Sequence, residues 1–227
     1  MADTTSPMLA APKSDLSERV LAWVRGHRQL STYGAGALVL VALFVAWNWM
    51  SARSSEDRAY ELLNQARVAF ESGNMPLAAS EFARIAENYS GTKSAEQATL
   101  LLAQVRMLQG QSPQAIEVLR RFTGSASPEF RAQAWQLLGA AFENVAQWRE
   151  AAEAYESAAD HAQLPFLAAQ FLSDAGRTWT TAGDTARAVA AFTRIGREYG
   201  DEPSAREALV RLGELTRGQA PIPEKAK

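Results

Sequence analysis

The chain has 227 residues, of which 47% are hydrophobic and 21% are charged, and its formal charge is −2. This composition is typical of a folded chain with room for one ordinary domain and a further segment, and it excludes a wholly disordered protein. The small net charge gives no reason to expect nucleic acid as a partner. The chain has no cysteine and only two histidines, so disulfides, thiolate sites and histidine-based metal or catalytic centres are not expected.

Residues 1–32 form an N-terminal segment with a short amphipathic pattern. Ser14 is a suitable N-cap, and Leu16, Val20 and Trp23 recur on one helical face. Such a helix could lie along a membrane surface or be a solvated tail.

The next segment, 33–51, contains the apolar run "GAGALVLVALFVAWNWM" and is predicted to be a transmembrane helix. Seven central apolar residues favour insertion by roughly 3 kcal/mol in total, and Tyr33, Trp47 and Trp49 suit the two membrane interfaces. A buried helix of a soluble domain is disfavoured, because the run has no polar face. A cleaved export signal stays open, with Ala52-Arg53-Ser54 as a weak cleavage site. Basic residues flank the run almost evenly, so charge alone leaves its orientation open.

From residue 55 onward the chain shows helical periodicity with a repeat of 36 to 37 residues. Four equivalent alanines, Ala78, Ala115, Ala151 and Ala188, are 37, 36 and 37 residues apart. Small residues at such positions, including Gly139, allow two helices to approach closely. A last helix over about 204–217 has no following partner and is predicted to cap the array, and residues 218–227 are predicted to be a disordered tail.

The clearest copy, "AWQLLGAAFENVAQWREAAEAYESAA", resembles the tetratricopeptide repeat (TPR) family. That resemblance implies that the first helices of successive pairs line a groove that binds extended peptide. It assigns nine residues to this groove: Arg67, Gln104, Met107, Gln133, Gln136, Glu143, Asn144, Gln170 and Arg177.

No catalytic constellation is found, so the chain is not expected to be an enzyme, and no cofactor, metal or small-molecule substrate is predicted. Three glutamates, Glu150, Glu153 and Glu156, follow one another at spacing three, which favours a solvated helix face over a metal site. The pair Asp160-His161 is predicted to lie in a loop. Protein partners are therefore the expected ligands.

The order of elements and the motif "YSGTKSAEQATLLLAQ" resemble the YfgM-like ancillary subunits of the bacterial Sec translocon. The resemblance implies a single-pass inner-membrane protein with a cytoplasmic N-terminus and a periplasmic TPR domain. Its implied partners are translocon subunits, periplasmic chaperones or exported clients. The brief stretch "SARSSED" reaches at most about 20–25 Å, which keeps the repeats near the membrane.

The sequence therefore predicts an all-α chain: one N-terminal transmembrane helix, then an α-solenoid of about four TPR helix pairs with a capping helix, over residues 55–217. Its predicted function is that of a membrane-anchored scaffold assisting Sec-dependent export or periplasmic chaperoning. The alternative is a periplasmic TPR protein coordinating envelope growth or division, with the apolar segment removed as a signal.

Overall fold

The computed structural model describes residues 28–218, except for the side chains of residues 28–32 and 34–38. Within this range the chain folds into nine α-helices and no strand. The helices are α1 (Arg28–Glu71), α2 (Met75–Asn88), α3 (Lys93–Leu108), α4 (Ser112–Ser125), α5 (Pro128–Glu143), α6 (Trp148–His161), α7 (Pro165–Thr181), α8 (Thr185–Glu198) and α9 (Pro203–Thr216). Most of the N-terminal segment 1–32 and residues 219–227 of the predicted tail lie outside the described residues.

The chain divides into two units, Met1–Arg53 and Ser54–Lys227. In the first unit, the described part is helical, and all its large apolar side chains from Val39 to Met50 are exposed. The guanidinium of Arg53 lies 5.7 Å from the ring centroid of Trp49. Among the described residues, no helix combines the length and the apolar character needed to cross a membrane. Residues 51–57, the stretch between the predicted anchor and the repeats, are helical.

The second unit is a solenoid of helix pairs, as the periodicity predicts. The second half of α1 pairs with α2 through a shared apolar cluster. The pairs α3/α4, α5/α6 and α7/α8 follow, and α9 packs against α8 and α7. Three apolar clusters run along the array, and neighbouring clusters share α3 and α6. Each pair therefore completes its core against the next one, which is how solenoids bury apolar surface. The helix predicted over about 204–217 is confirmed within one residue at each end, as Pro203–Thr216.

Glycines inside the first helices explain how closely the helices of a pair pack. A Cβ at Gly139 would lie 2.8 Å from the Tyr155 ring, and one at Gly176 would lie 2.7 Å from the Phe192 ring. At Gly213, 37 residues further on in α9, a Cβ would meet no atom within 4 Å. Gly139 thus has the predicted small-residue role, whereas Gly213 has no aromatic ring packed on it.

The turns within the pairs share one backbone conformation. Gly73, Gly110 and Gly183 have φ of +79°, +74° and +78°, a left-handed conformation that glycine adopts without penalty. The third turn has Ala146 at this position, with φ of 58°. The four positions are 37, 36 and 37 residues apart, in the register of the predicted alanines.

Carboxylates of two first helices accept hydrogen bonds from the start of the next first helix. Glu56 accepts hydrogen bonds from the backbone N–H groups of Lys93 (2.8 Å) and Ser94 (3.2 Å) at the start of α3. Glu96 accepts one from the backbone N–H of Ser127 (2.8 Å) before α5. These bonds satisfy helix-end donors, which have no partner within their own helix.

The prediction of a loop at Asp160-His161 is wrong, because both residues belong to α6. Asp160 pairs with Arg194 at 2.8 Å.

Candidate functional site

The second half of α1 and the helices α3, α5, α7 and α9 form one surface of the solenoid, called here the first-helix face. On this side α3 contacts α5, and α7 contacts α9. The second helices α2, α4, α6 and α8 form the opposite second-helix face. The predicted groove residues belong to the first helices of all four pairs or to the residue that follows α5.

The nine predicted residues differ in exposure. Gln104, Gln133, Asn144, Gln170 and Arg177 are exposed, while Arg67, Met107, Gln136 and Glu143 are partly buried. Met107 packs against the central apolar cluster. The exposed amides on α3, α5 and α7 can donate and accept hydrogen bonds, which suits the backbone of a peptide.

The structure brings Glu143 and Arg177 together rather than leaving both for a ligand. The Glu143 carboxylate lies 2.9 Å from Arg177 Nη2 and accepts hydrogen bonds from the hydroxyls of Tyr155 (2.9 Å) and Thr178 (2.8 Å). The Glu143 side chain is only 19% exposed. One carboxylate thus joins α5, α6 and α7, and its binding capacity is used within the fold.

Burial and neighbouring charges shift the pKa values of three groups in this network. Burial, with the nearby Glu143 charge, raises the pKa of Tyr155 well above its usual value. Burial also raises the pKa of Asp174, although Arg177, 3.7 Å away, opposes this shift. For Arg177, burial alone would lower the pKa, but Glu143 and Asp174 raise it. The guanidinium therefore stays charged, and Tyr155 stays protonated as a hydrogen-bond donor.

A cavity of about 320 Å³ opens beside this network between α7 and α9. Two predicted residues, Gln170 and Arg177, line it together with Asp174, Glu207 and Arg211. Sequence reasoning missed the last three. The spacing of Asp174, one helical turn before Arg177, could have indicated that it lies beside this predicted groove residue. Glu207 and Arg211 were missed because they lie on α9, which the sequence analysis interpreted only as a cap.

This arrangement has the chemistry of a binding surface. Among the described side chains, no group of three histidines, cysteines or carboxylates could hold a metal ion. Amides, guanidinium groups and carboxylates along a row of helices can instead make hydrogen bonds and ion pairs with a polypeptide.

Paired helices stacked in this way define an α-solenoid repeat protein, a class in which neighbouring repeats build an extended binding surface. The sequence matches the tetratricopeptide repeat-like domain over residues 50–173. The chain therefore belongs to the tetratricopeptide repeat-like family, whose fold generally mediates protein–protein interaction and is typical of non-enzymatic scaffolds. No curated protein matches the chain.

Solved structures show the same fold. Nearly identical TPR-like repeats from Podosopora anserina share 17% identity with this chain at a TM-score of 0.53, covering 72% of this chain and 87% of theirs. The MamA protein shares 17% identity at a TM-score of 0.54, covering 71% of this chain and 82% of its own. At such low identity the similarity extends to the fold alone.

Proposed function

We propose that the chain is a membrane-anchored TPR scaffold that binds partner proteins through its first-helix face at the bacterial inner membrane. A row of exposed polar side chains on successive first helices supports the binding role, and Gln104, Gln133 and Gln170 belong to it. A row of this kind offers repeated hydrogen-bonding groups to an extended segment. Membership of a protein-binding repeat family supports the same role.

The anchor is proposed from the apolar part of α1. Every large apolar side chain from Val39 to Met50 is at least 58% exposed. Exposing such a segment to water would be costly, since each fully buried apolar side chain gains about 1.5–3 kcal/mol over its exposed state. A helix that is apolar on all sides without protein around it suits a lipid environment. The proposed span, 33–51, includes residues 34–38, whose side chains lie outside those described.

The proposed setting, assistance to Sec-dependent export or to periplasmic chaperoning, rests on the resemblance at residues 89–104. In that motif Gly91 adopts φ of +86°, and the Thr92 hydroxyl accepts a hydrogen bond from the Ala95 N–H (3.1 Å). The motif thus ends one pair and caps the first helix of the next. The proposed orientation has residues 1–32 in the cytoplasm and the repeats in the periplasm.

Membrane extraction tests the anchor. The full chain, produced in bacteria, should stay in the membrane pellet after alkaline carbonate washing, and N-terminal sequencing should find residues 1–54 intact. Release into the supernatant would refute the anchor. Loss of the first ~54 residues would instead favour the cleaved periplasmic alternative.

Affinity capture from solubilised membranes tests the binding face. Gln133→Lys places a charge on the first-helix face, and Gln114→Lys makes the same change at an exposed position of α4. The proposal expects the native chain and the Gln114 variant to capture the same proteins and the Gln133 variant to lose them. Equal capture by all three would refute the assignment of this face.

A further inference from the structure

The last described helix, α9, has no second helix of its own pair within the described residues. In the preceding pair the Phe192 ring of α8 packs on Gly176 of α7, and Leu172, one helical turn earlier, is only 1% exposed. The position equivalent to Leu172, 37 residues later, is Leu209, which is 37% exposed. Four residues at helical spacing lie on this side of α9 and its N-cap, called here the α9 stripe: Glu202, Arg206, Leu209 and Gly213.

The chain reverses at the end of α9 with the motif that also ends α7. Arg217 has φ of 53°, and the Gly218 N–H donates a hydrogen bond to the Gly213 carbonyl at 3.0 Å. At the end of α7 the left-handed residue is Gly183, and the N–H that follows it bonds back into the last turns of α7 before α8 begins. A left-handed residue followed by such a bond is the Schellman motif, which turns the chain at a helix end. Residues 219–227 therefore follow a reversal of the chain rather than a continuation of α9.

The segment 219–227, "QAPIPEKAK", has the length and composition to lie along the α9 stripe. Its two prolines favour an extended backbone, which advances about 3.1 Å per residue. In that conformation Ile222 is about 12 Å from Gly218, and Leu209 is about 13.5 Å from Gly218 along α9 at about 1.5 Å per residue. An extended segment running back along α9 therefore brings Ile222, its one large apolar residue, nearly level with Leu209.

The charges of the segment match those of the α9 stripe in the same order. Glu224 is about 19 Å from Gly218 in an extended chain, and Arg206 is about 18 Å from Gly218 along α9. Arg206 is exposed and forms no ion pair among the described residues. Lys225, about 22 Å along the segment, comes nearly level with Glu202, which is about 24 Å along α9. An acidic and a basic residue of the segment thus come opposite groups of the other sign.

We propose that residues 219–227 of this chain bind along the α9 stripe as an extended segment, with Ile222 against Leu209 and Glu224 paired with Arg206. Because the segment is covalently joined to α9, its effective concentration at the stripe is on the order of millimolar, so a few contacts suffice to hold it. This docked segment takes the place of the disordered tail predicted from the sequence. It covers apolar surface of α9, so a helix of another protein would have to displace it before stacking there.

Disulfide trapping in the full chain, which has no cysteine of its own, tests the proposal. Arg206→Cys with Glu224→Cys places one thiol on the α9 stripe and the other on the segment. Glu207→Cys with Glu224→Cys is the matched control, because Glu207 is the next residue, is exposed and lies about 100° around the helix. Both double variants, in detergent micelles, are equilibrated with reduced and oxidised glutathione, and mass spectrometry measures the intramolecular disulfide. We expect an effective thiol concentration about tenfold higher in the first variant than in the control.

Further substitutions separate docking from mere proximity along the chain. In the variant with Arg206→Cys and Glu224→Cys, Ile222→Ser should lower the effective concentration to that of the control, because it removes the apolar contact with Leu209. Ala220→Ser, a matched change on the same segment, should leave the effective concentration unaltered. In the chain without cysteines, Glu224→Arg should speed hydrogen exchange of α9 by about two- to fivefold, and adding Arg206→Glu should restore the native rate.

Equal effective concentrations in the two cysteine pairs, a difference that survives Ile222→Ser, or unchanged exchange in Glu224→Arg would each overturn the proposal. Disulfide-linked dimers as the main product would show that a second copy of the chain covers the α9 stripe, and would overturn it as well. The experiment involves neither membrane extraction nor capture of a partner, so its failure leaves the proposed function intact.

Discussion

Replacing Gly176 by alanine tests whether close packing within the pairs holds the solenoid together. The added Cβ would lie 2.7 Å from Phe192 Cζ, whereas ordinary contact begins at 3.4 Å, so the ring would have to move by about 0.7 Å. Phe192 is only 2% exposed, so neighbouring atoms leave its ring little room to move. Overpacking of this kind costs about 1–3 kcal/mol, and alanine regains up to about 1 kcal/mol of helix propensity. We expect a net loss of about 1–2 kcal/mol.

Gly213→Ala is the matched control, because its Cβ meets no atom within 4 Å. It should stabilise the chain by about 0.5–1 kcal/mol, since only the helix propensity changes. Urea unfolding followed by circular dichroism measures both variants. A stabilised Gly176→Ala, or the same sign of change in both variants, would refute the packing argument.

Five further substitutions probe the network, the helix ends and the turns. Glu143→Ala should destabilise the chain by about 2–3 kcal/mol in urea unfolding, because it leaves buried hydroxyl donors unpaired, and Tyr155→Phe should cost about 1 kcal/mol. Asp174→Asn should raise stability at neutral pH, and a pH series of melting temperatures should show the gain vanishing below the ordinary carboxyl pKa of 3.8. Glu56→Ala should cost about 1 kcal/mol and speed hydrogen exchange at the start of α3. Ala146→Gly should raise the unfolding free energy by about 0.5–1 kcal/mol in urea, because it relieves a left-handed alanine.

The sign for Asp174 follows from its raised pKa. The folded state holds the proton more tightly than the unfolded state, so ionisation reduces stability as the pH rises above the ordinary value. A loss of stability at neutral pH in Asp174→Asn would show that the pairing with Arg177 outweighs burial. The control for Glu56→Ala is Glu61→Ala, which changes an exposed glutamate of the same helix. Equal rates of hydrogen exchange at the start of α3 in both variants would contradict the capping role of Glu56. An unchanged unfolding free energy in Glu143→Ala would contradict the role given to the Glu143 hydrogen bonds. A lower unfolding free energy in Ala146→Gly would contradict the argument from the left-handed alanine.

Local spacing predicted the repeats because each pair uses the same positions for the same contacts. Ala78, Ala115, Ala151 and Ala188 are all fully buried, as their regular spacing indicated. Gly139 was recognised as a close-approach position from one copy of the motif. These features depend on residues near one another in sequence, so periodicity alone reveals them.

Contacts between pairs could not be predicted in the same way. Glu143 was assigned to the groove as a polar residue of a first helix, but it bonds to Tyr155 of its own pair and to Thr178 of the next pair. The acidic row of α6 was interpreted as a solvated face, yet Glu153 and Glu156 bond to residues of the next pair. Such pairing depends on the rotation between neighbouring repeats, which spacing within one repeat does not specify.

Photo-crosslinking in intact membranes tests the central claim most directly. Because the chain has no cysteine, a thiol-linked photo-crosslinker can be placed at one position at a time. We predict that Gln104→Cys and Gln133→Cys each give discrete protein adducts in the membrane fraction and that Gln114→Cys, on α4, gives none of them. Identical adducts from both faces, or no adduct from the first-helix face, would contradict the account of a membrane-held scaffold that binds its partners there.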